Sequence, residues 1–219
     1  MSFAEQQTWF EQLAAGDEQV LAEIAAAAGF GEPRKTAANL CLLNAAFADR
    51  RLIVDIARHA LATADPDLAL NNLDRLTATV DTSDLAVVLV DQTSTVQLLT
   101  ILGASPFLTG ILCRRAGFFA GLFRKGQINH AKTEQQMCDE LRQLIDDAAD
   151  TAQMKKGLRT YKAEEMLRIG SRDLCGLAGL EEITAELSAL AAASLQRAFE
   201  ICSIQLQKEY GAPLLDDEE

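Results

Sequence analysis

Hydrophobic positions recur mostly at helical spacing, and the longest such runs lie in residues 158–210. Leu158, Tyr161, Met166, Ile169 and Leu174 form one loosely spaced apolar stripe, with Arg159, Lys162, Arg168 and Arg172 mostly off it. After a break at residues 176–179, Ile183, Leu187, Leu190, Leu195, Phe199 and Leu206 form a second, longer stripe. Glu181, Glu182 and Glu186 stand in its opening turns, where a helix dipole favours negative charge. Two long amphipathic helices are expected.

The chain before them reads as shorter helices. Ser2 with Glu5 forms a capping box, opening a helix with Phe3, Trp9, Phe10 and Leu13 as core candidates and an end near Gly16. Asp17 caps the next, which turns Val20, Leu21 and Ile24 inward and closes at Gly29. Pro33 suits the first turn of a third helix, and a fourth covers residues 52–63. Asp65-Pro66 supplies the N-cap and first helical residue of ALNNLDRLTATV. Thr82 or Ser83 is expected to cap DLAVVLVDQ, and Ser94 to cap TVQLLTILG. Val87, Val88 and Val90 favour a strand, but helical neighbours on both sides decide for helix.

Residues 103–106 read as a turn, FLTGILCRRAGFFAGLF as short apolar helices, and the polar residues 124–132 as linker-like. A helix over 133–150 would place Met137, Leu141, Leu144 and Ile145 on one face, with Gly157 as a kink or separator beyond it. The expected fold is all-α, a multi-helix bundle or α-hairpin array ending in two long amphipathic helices. Its regions are an N-terminal helical part over 1–123 and a long-helix part over 133–211, or one domain if the two pack together.

Composition narrows the function. Hydrophobic residues make up 49% of the 219, but aromatics only 5%, and a Leu- and Ala-rich chain favours helix packing over sheet. The formal charge of −12, from 32 acidic and 20 basic residues, argues against nucleic acid as a partner, because displacing counterions needs a basic face. Cys41, Cys113, Cys138, Cys175 and Cys202 are widely separated, and with only His59 and His130 available no zinc site is expected. Buried reduced thiols fit the cytoplasm. The N-terminus lacks signal-peptide features, and no apolar run of about 18 residues suggests a membrane span. A soluble cytoplasmic protein is the expectation.

Few residues suggest chemistry. Arg168 and Arg172, one turn apart, could present two guanidinium groups to a phosphate or carboxylate. The plainer expectation pairs them with Glu164, Glu165 or Asp173, or with acids on the preceding helix. No Ser or Cys stands in a nucleophile elbow, and Asp146-Asp147 reads as solvated. Phe118, Phe119, Leu122 and Phe123, beside Arg114, Arg115 and Arg124, read as core, with an exposed docking patch as the alternative.

Two stretches carry a family resemblance. The first contains ALNNLDRL and then LTILGASPFLTGILCRR; the second is EEMLRIGSRDLCGLAGLEEITAELSALA. They resemble the helical segment that precedes the catalytic domain of glutamine synthetase adenylyltransferases. That family has an LNNLER helix followed by GxSxFLAxxLxRxP, on which Gly103, Ser105, Phe107, Leu108 and Leu112 fall. It also has REMLRIAxRDLxGLxxLEEVTxELSxLA, on which Glu165, Met166, Arg168, Arg172, Asp173, Gly176, Glu181 and Glu186 fall, among others. With the Tyr210-Gly211-Ala212-Pro213 element, the resemblance covers roughly residues 69–213, and the first sixty or so carry no motif.

The resemblance implies a parent enzyme that uses ATP and Mg to add AMP to a tyrosine of glutamine synthetase. It also removes that AMP by phosphorolysis, under PII signal protein and glutamine, in nitrogen regulation. The family's Gly-Ser turn with a following Asp-x-Asp is absent, since Gly170-Ser171 lies within a helical pattern. The chain alone, ending in Leu214-Leu215-Asp216-Asp217-Glu218-Glu219, is therefore expected to be non-catalytic, with no catalytic, cofactor or metal residues of its own. Arg168, Arg172 and Asp173 would brace an absent nucleotidyltransferase domain. A stand-alone all-α protein-binding module is the alternative.

Overall fold

The computed structural model describes residues 3–211. Among them are twelve α-helices and no strand. They are α1 (Phe3–Ala15), α2 (Glu18–Ala28), α3 (Pro33–Phe47), α4 (Arg50–Ala60), α5 (Pro66–Thr77) and α6 (Thr82–Val90). There follow α7 (Gln92–Ala104), α8 (Pro106–Arg114), α9 (Ala116–Phe119), α10 (Glu134–Leu144), α11 (Thr151–Leu174) and α12 (Leu180–Tyr210). No single helix among them is long and apolar enough to cross a membrane. The chain forms two compact units, Met1–Asn129 with Gly170–Leu177, and His130–Ile169 with Ala178–Glu219.

In the first unit, aspartates start most helices. Asp17 accepts from the Gln19 and Val20 amides, Asp49 from Arg51 and Leu52, and Asp65 from Leu68 with Pro66 at the first helical position. Aspartate also replaces the expected hydroxyl caps. Asp81 accepts from the Ser83 amide at 2.8 Å, so Thr82 is already helical, and Asp91 accepts from the Ser94 amide at 2.8 Å. A carboxylate binds orphan amides and meets the positive end of the helix dipole, and it wins where both residue types are available. The valine-rich DLAVVLV segment is helical, and α6 and α7 meet at 114° across Asp91. The expected capping box at Ser2 lies outside the described residues, as do the side chains of Phe3 and Phe10.

The core of this unit is Leu- and Ala-rich, with Trp9 edge-on to Phe30 at 6.4 Å and Phe119 against Phe123 at 5.1 Å. Phe119, Leu122 and Phe123 are buried, as expected for core; a π-helical turn, Ala120–Arg124, extends α9 and turns the last two inward. Gly103 is not in a turn but inside α7. A Cβ there would come within 2.9 Å of Thr63 Oγ1 and 3.0 Å of the Asp65 carbonyl, so only glycine allows this approach. The chain turns two residues later, at Ser105, whose hydroxyl accepts from the Leu108 amide. Asn72, from the LNNL element, is buried and donates to the Leu102 carbonyl at 2.8 Å, joining α5 to α7.

In the second unit α10 opens with a capping box between Thr133 and Gln136. It ends at Leu144, short of the expected 150, because two local devices interrupt the helix. Ile145 is extended, and the Asp146 carboxylate accepts from the Ala148 amide. Asp150 then caps α11 by accepting from the Gln153 amide, while Gln153 accepts from the Asp150 amide. Gly157 does not separate two helices: it lies inside α11, where a Cβ would stand 2.5 Å from Ile145 Cγ1. Met137, Leu141, Ile145, Met154, Tyr161, Ile169, Ile183, Leu190 and Ile201 make one core, while Leu144 is exposed.

The long second stripe divides in the structure. Ile183, Leu190, Ala193 and Ile201 face the core, whereas Leu195, Phe199 and Leu206 face outward on the other side of α12. Spacing explains this. The step of five from Leu190 to Leu195 turns the stripe by about 140° round the helix, away from the face that Ile183 and Leu190 define, and the following steps of four and seven keep Phe199 and Leu206 on that new side.

Candidate functional site

The second family-like stretch places acids and bases inside the second unit. Glu165, Arg168 and Glu186 are 1%, 2% and 3% exposed. Arg168 and Glu165 are three residues apart on α11 and so share a face. The Arg168 Nε donates to Glu165 Oε2 at 2.9 Å, and its Nη2 lies 2.8 Å from Glu165 and 2.5 Å from Glu186 on α12. Its Nη1 donates to the His130 carbonyl at 2.7 Å.

Lys132 completes the cluster. Its ammonium lies 2.6 Å from Glu165 and 2.8 Å from Glu140 on α10, and its backbone amide donates to Glu186 at 2.9 Å. Tyr161 donates to Glu140 at 2.7 Å and lies beneath the Lys132 ammonium. Burial, and after it the Glu140 hydrogen bond, pushes the Tyr161 phenol above its ordinary range. The segment read as a linker is thus anchored at its end by Lys132. Ion pairs taken out of water in this way hold geometry more than they add stability, and losing one partner leaves a bare buried charge.

Arg172 belongs to the first unit, where it is buried and donates to the Ile128 carbonyl. Arg168 and Arg172 are therefore both buried, and Arg168 is held by Glu165, one of its expected partners. Asp173 is exposed. Around it α11 closes in a Schellman motif: Gly176, at φ 64°, donates to the Asp173 carbonyl and Leu177 to the Arg172 carbonyl. Gly170 approaches Leu108 closely, with 3.0 Å between a built Cβ and Leu108 Cδ1.

A second buried cation sits further along α12. Arg197 donates to the Ile145 carbonyl and pairs with Asp147 at 2.8 Å and Glu200 at 3.1 Å. Asp147, expected to be solvated, thus has a partner, though its side chain remains mostly exposed. Arg142 binds Glu200 at 2.7 Å, and this hydrogen bond, with those from Gln196 and Arg197, holds the Glu200 carboxyl down at about 2. Glu186, Glu140, Lys132 and Arg197 were missed as site residues. For Glu186 and Arg197 the signal was present: each interrupts the apolar face set by Ile183, Leu190 and Ile201. Glu186 does not join Glu181 and Glu182 as an exposed dipole partner.

Among the described residues no group of three or more His, Cys, Asp and Glu side chains could hold a metal ion. The cluster keeps α10, α11, α12 and residues 130–132 in one register, and Glu165 and Glu186 face cations rather than an open pocket. The family motifs otherwise map to packing: Gly103 and Gly170 to close approach, Ser105 to a cap, Gly176 to a helix end.

Comparison with known proteins gives the stretch a family. The profile of glutamate-ammonia ligase adenylyltransferase matches residues 95–219. A bifunctional glutamine synthetase adenylyltransferase/adenylyl-removing enzyme of Streptomyces coelicolor is 31% identical over 175 residues, 78% of this chain and 16% of that protein. Enzymes of the same description from Shewanella loihica and Shewanella woodyi are 34% and 32% identical over 119 and 118 residues, in each case 54% of this chain and 12% of the relative. The chain thus aligns with a small part of each relative's length. Matched over more than half of its residues, the chain belongs to the glutamate-ammonia ligase adenylyltransferase family.

Proposed function

We propose that this chain supplies the helical, non-catalytic part of a glutamine synthetase adenylyltransferase/adenylyl-removing system in the cytoplasm. In this reading its helices hold a nucleotidyltransferase domain that uses ATP and Mg to move AMP onto and off a glutamine synthetase tyrosine, with PII as a regulator. The observation that carries the reading is the internal neutralisation of Glu165, Arg168 and Glu186 within the family-matching stretch. A cluster built this way gives a rigid support and leaves no carboxylate pair open to metal and nucleotide. Asp173, exposed beside the buried Arg172, is the member of the expected bracing trio able to meet another domain.

The test uses the purified chain with glutamine synthetase, ATP and Mg. No AMP transfer is expected from the chain alone, and a nucleotidyltransferase domain of a relative, supplied separately, is expected to bind it. Asp173→Arg should weaken that binding about tenfold, on the order of 1.4 kcal/mol. AMP transfer by the isolated chain, or no binding of the supplied domain, would overturn the reading.

A further inference from the structure

The outward face of α12 follows a stricter pattern than its inward one. Positions 185, 188, 192, 195, 199, 202 and 206 alternate steps of three and four, a heptad seam of Ala, Ser, Ala, Leu, Phe, Cys and Leu. Leu195 is 73% exposed, Phe199 69% and Leu206 56%, and Cys202 is exposed at the centre of the larger residues. The helix buries Ile183, Leu190, Ala193 and Ile201 on the opposite side. It therefore has two faces built for contact, and the second unit uses one.

We propose that this seam pairs, antiparallel, with α12 of a second copy of the chain. Size selects the occupant and its direction. The seam is small at its N-terminal end (Ala185, Ser188, Ala192) and large towards its C-terminal end (Leu195, Phe199, Leu206). An antiparallel pair crossing at position 197 sets Leu195 against the partner's Phe199, Ala192 against the partner's Cys202, and Ser188 against the partner's Leu206. Small then meets large at both ends, and the helix separation stays even. A parallel pair would stack Phe199 and Leu206 on themselves at one end and leave alanines facing alanines at the other.

Charge selects a second copy over a partner recognised by charge. Between Thr184 and Gln207 the only charged residues are Glu186, Arg197 and Glu200, and all three are engaged within the second unit. The positions flanking the seam, among them Ala189, Ala191, Gln196, Ala198, Ser203 and Gln205, carry no charge. Two copies of a chain with net charge −12 can meet here without like charges facing each other. The seam is about 33 Å long at 1.5 Å per residue. A single helix pair of that length falls below the roughly 800 Å² per partner of a standard stable interface. The dimer is accordingly weak and depends on concentration. The pairing does not rest on the adenylyl-transfer reading.

Sedimentation equilibrium of the full chain, from micromolar to near-millimolar concentration, tests the proposal. The mean mass should rise from 23.7 kDa towards twice that value. Phe199→Glu should shift the midpoint at least about tenfold, or about 1.4 kcal/mol, with helicity by circular dichroism unchanged. Val90→Glu, at an exposed apolar position on α6, should leave it in place. Ala192→Cys under diamide should form an interchain 192–202 disulfide, read by peptide mass spectrometry. A monomer mass throughout would assign the seam to another helix and overturn the proposal. So would a dimer indifferent to Phe199→Glu, or a 202–202 link in place of the 192–202 one.

Discussion

Arg168 keeps its charge inside the protein because carboxylates from two helices meet it. Replacing it with Met removes the charge but leaves Glu165 and Glu186 buried without their arginine. Arg168→Met should therefore lower the unfolding free energy by roughly 3–5 kcal/mol, measured by urea denaturation. The triple change Glu165→Gln, Arg168→Met, Glu186→Gln should recover part of that loss, because no bare charge remains. Glu200 gives a pH signature. Its carboxyl, ordinarily near 4.5, titrates at about 2 beside Arg142, so the folded state binds this proton later than the unfolded one. The stabilisation is present above pH 4.5 and is lost as the pH falls towards 2. Glu200→Gln should flatten the stability profile across that window relative to the parent, as read by thermal melts at stepped pH.

Single helices show where sequence patterns suffice and where they do not. Most helix starts were legible, because Asp17, Asp65 and the prolines at 33 and 66 carry their own geometry. The start of α6 was misplaced by one or two residues and that of α7 by three. Thr82 and Ser94 are good caps in isolation, and only the competition with Asp81 and Asp91 excludes them. The end of α10 was missed because the extended Ile145 still faces the core and the Asp146 bond to the Ala148 amide leaves the apolar period undisturbed. Gly157 was read as a breaker from its identity alone, while its reason is the Ile145 side chain from another part of the chain. Gly157→Ala adds helix propensity worth about 1 kcal/mol. Crowding against Ile145 should outweigh it, giving a net loss of about 1–3 kcal/mol. The loss should shrink in an Ile145→Ala background, and a double-mutant denaturation cycle checks this.

For the whole molecule, the all-α class and the two long C-terminal helices were legible because Leu- and Ala-rich periodicity repeats along nearly the entire chain. The family, too, was readable from ordered motifs. What remained illegible was how charge is distributed in depth. The period puts Glu186 and Arg197 on the apolar face of α12 without saying what neutralises them there; each of these, like Arg168, is buried because partners distant in sequence arrive to meet it. The same blindness merged the two faces of α12 into one stripe.

The cluster around Arg168 has a consequence for heat. Charged groups lose favourable hydration as temperature rises, so the penalty for withdrawing Lys132, Glu165, Arg168 and Glu186 from water shrinks on warming, while the gain from burying apolar surface levels off. The share of stability held by these four residues therefore grows with temperature, and the second unit leans on them most just before it melts.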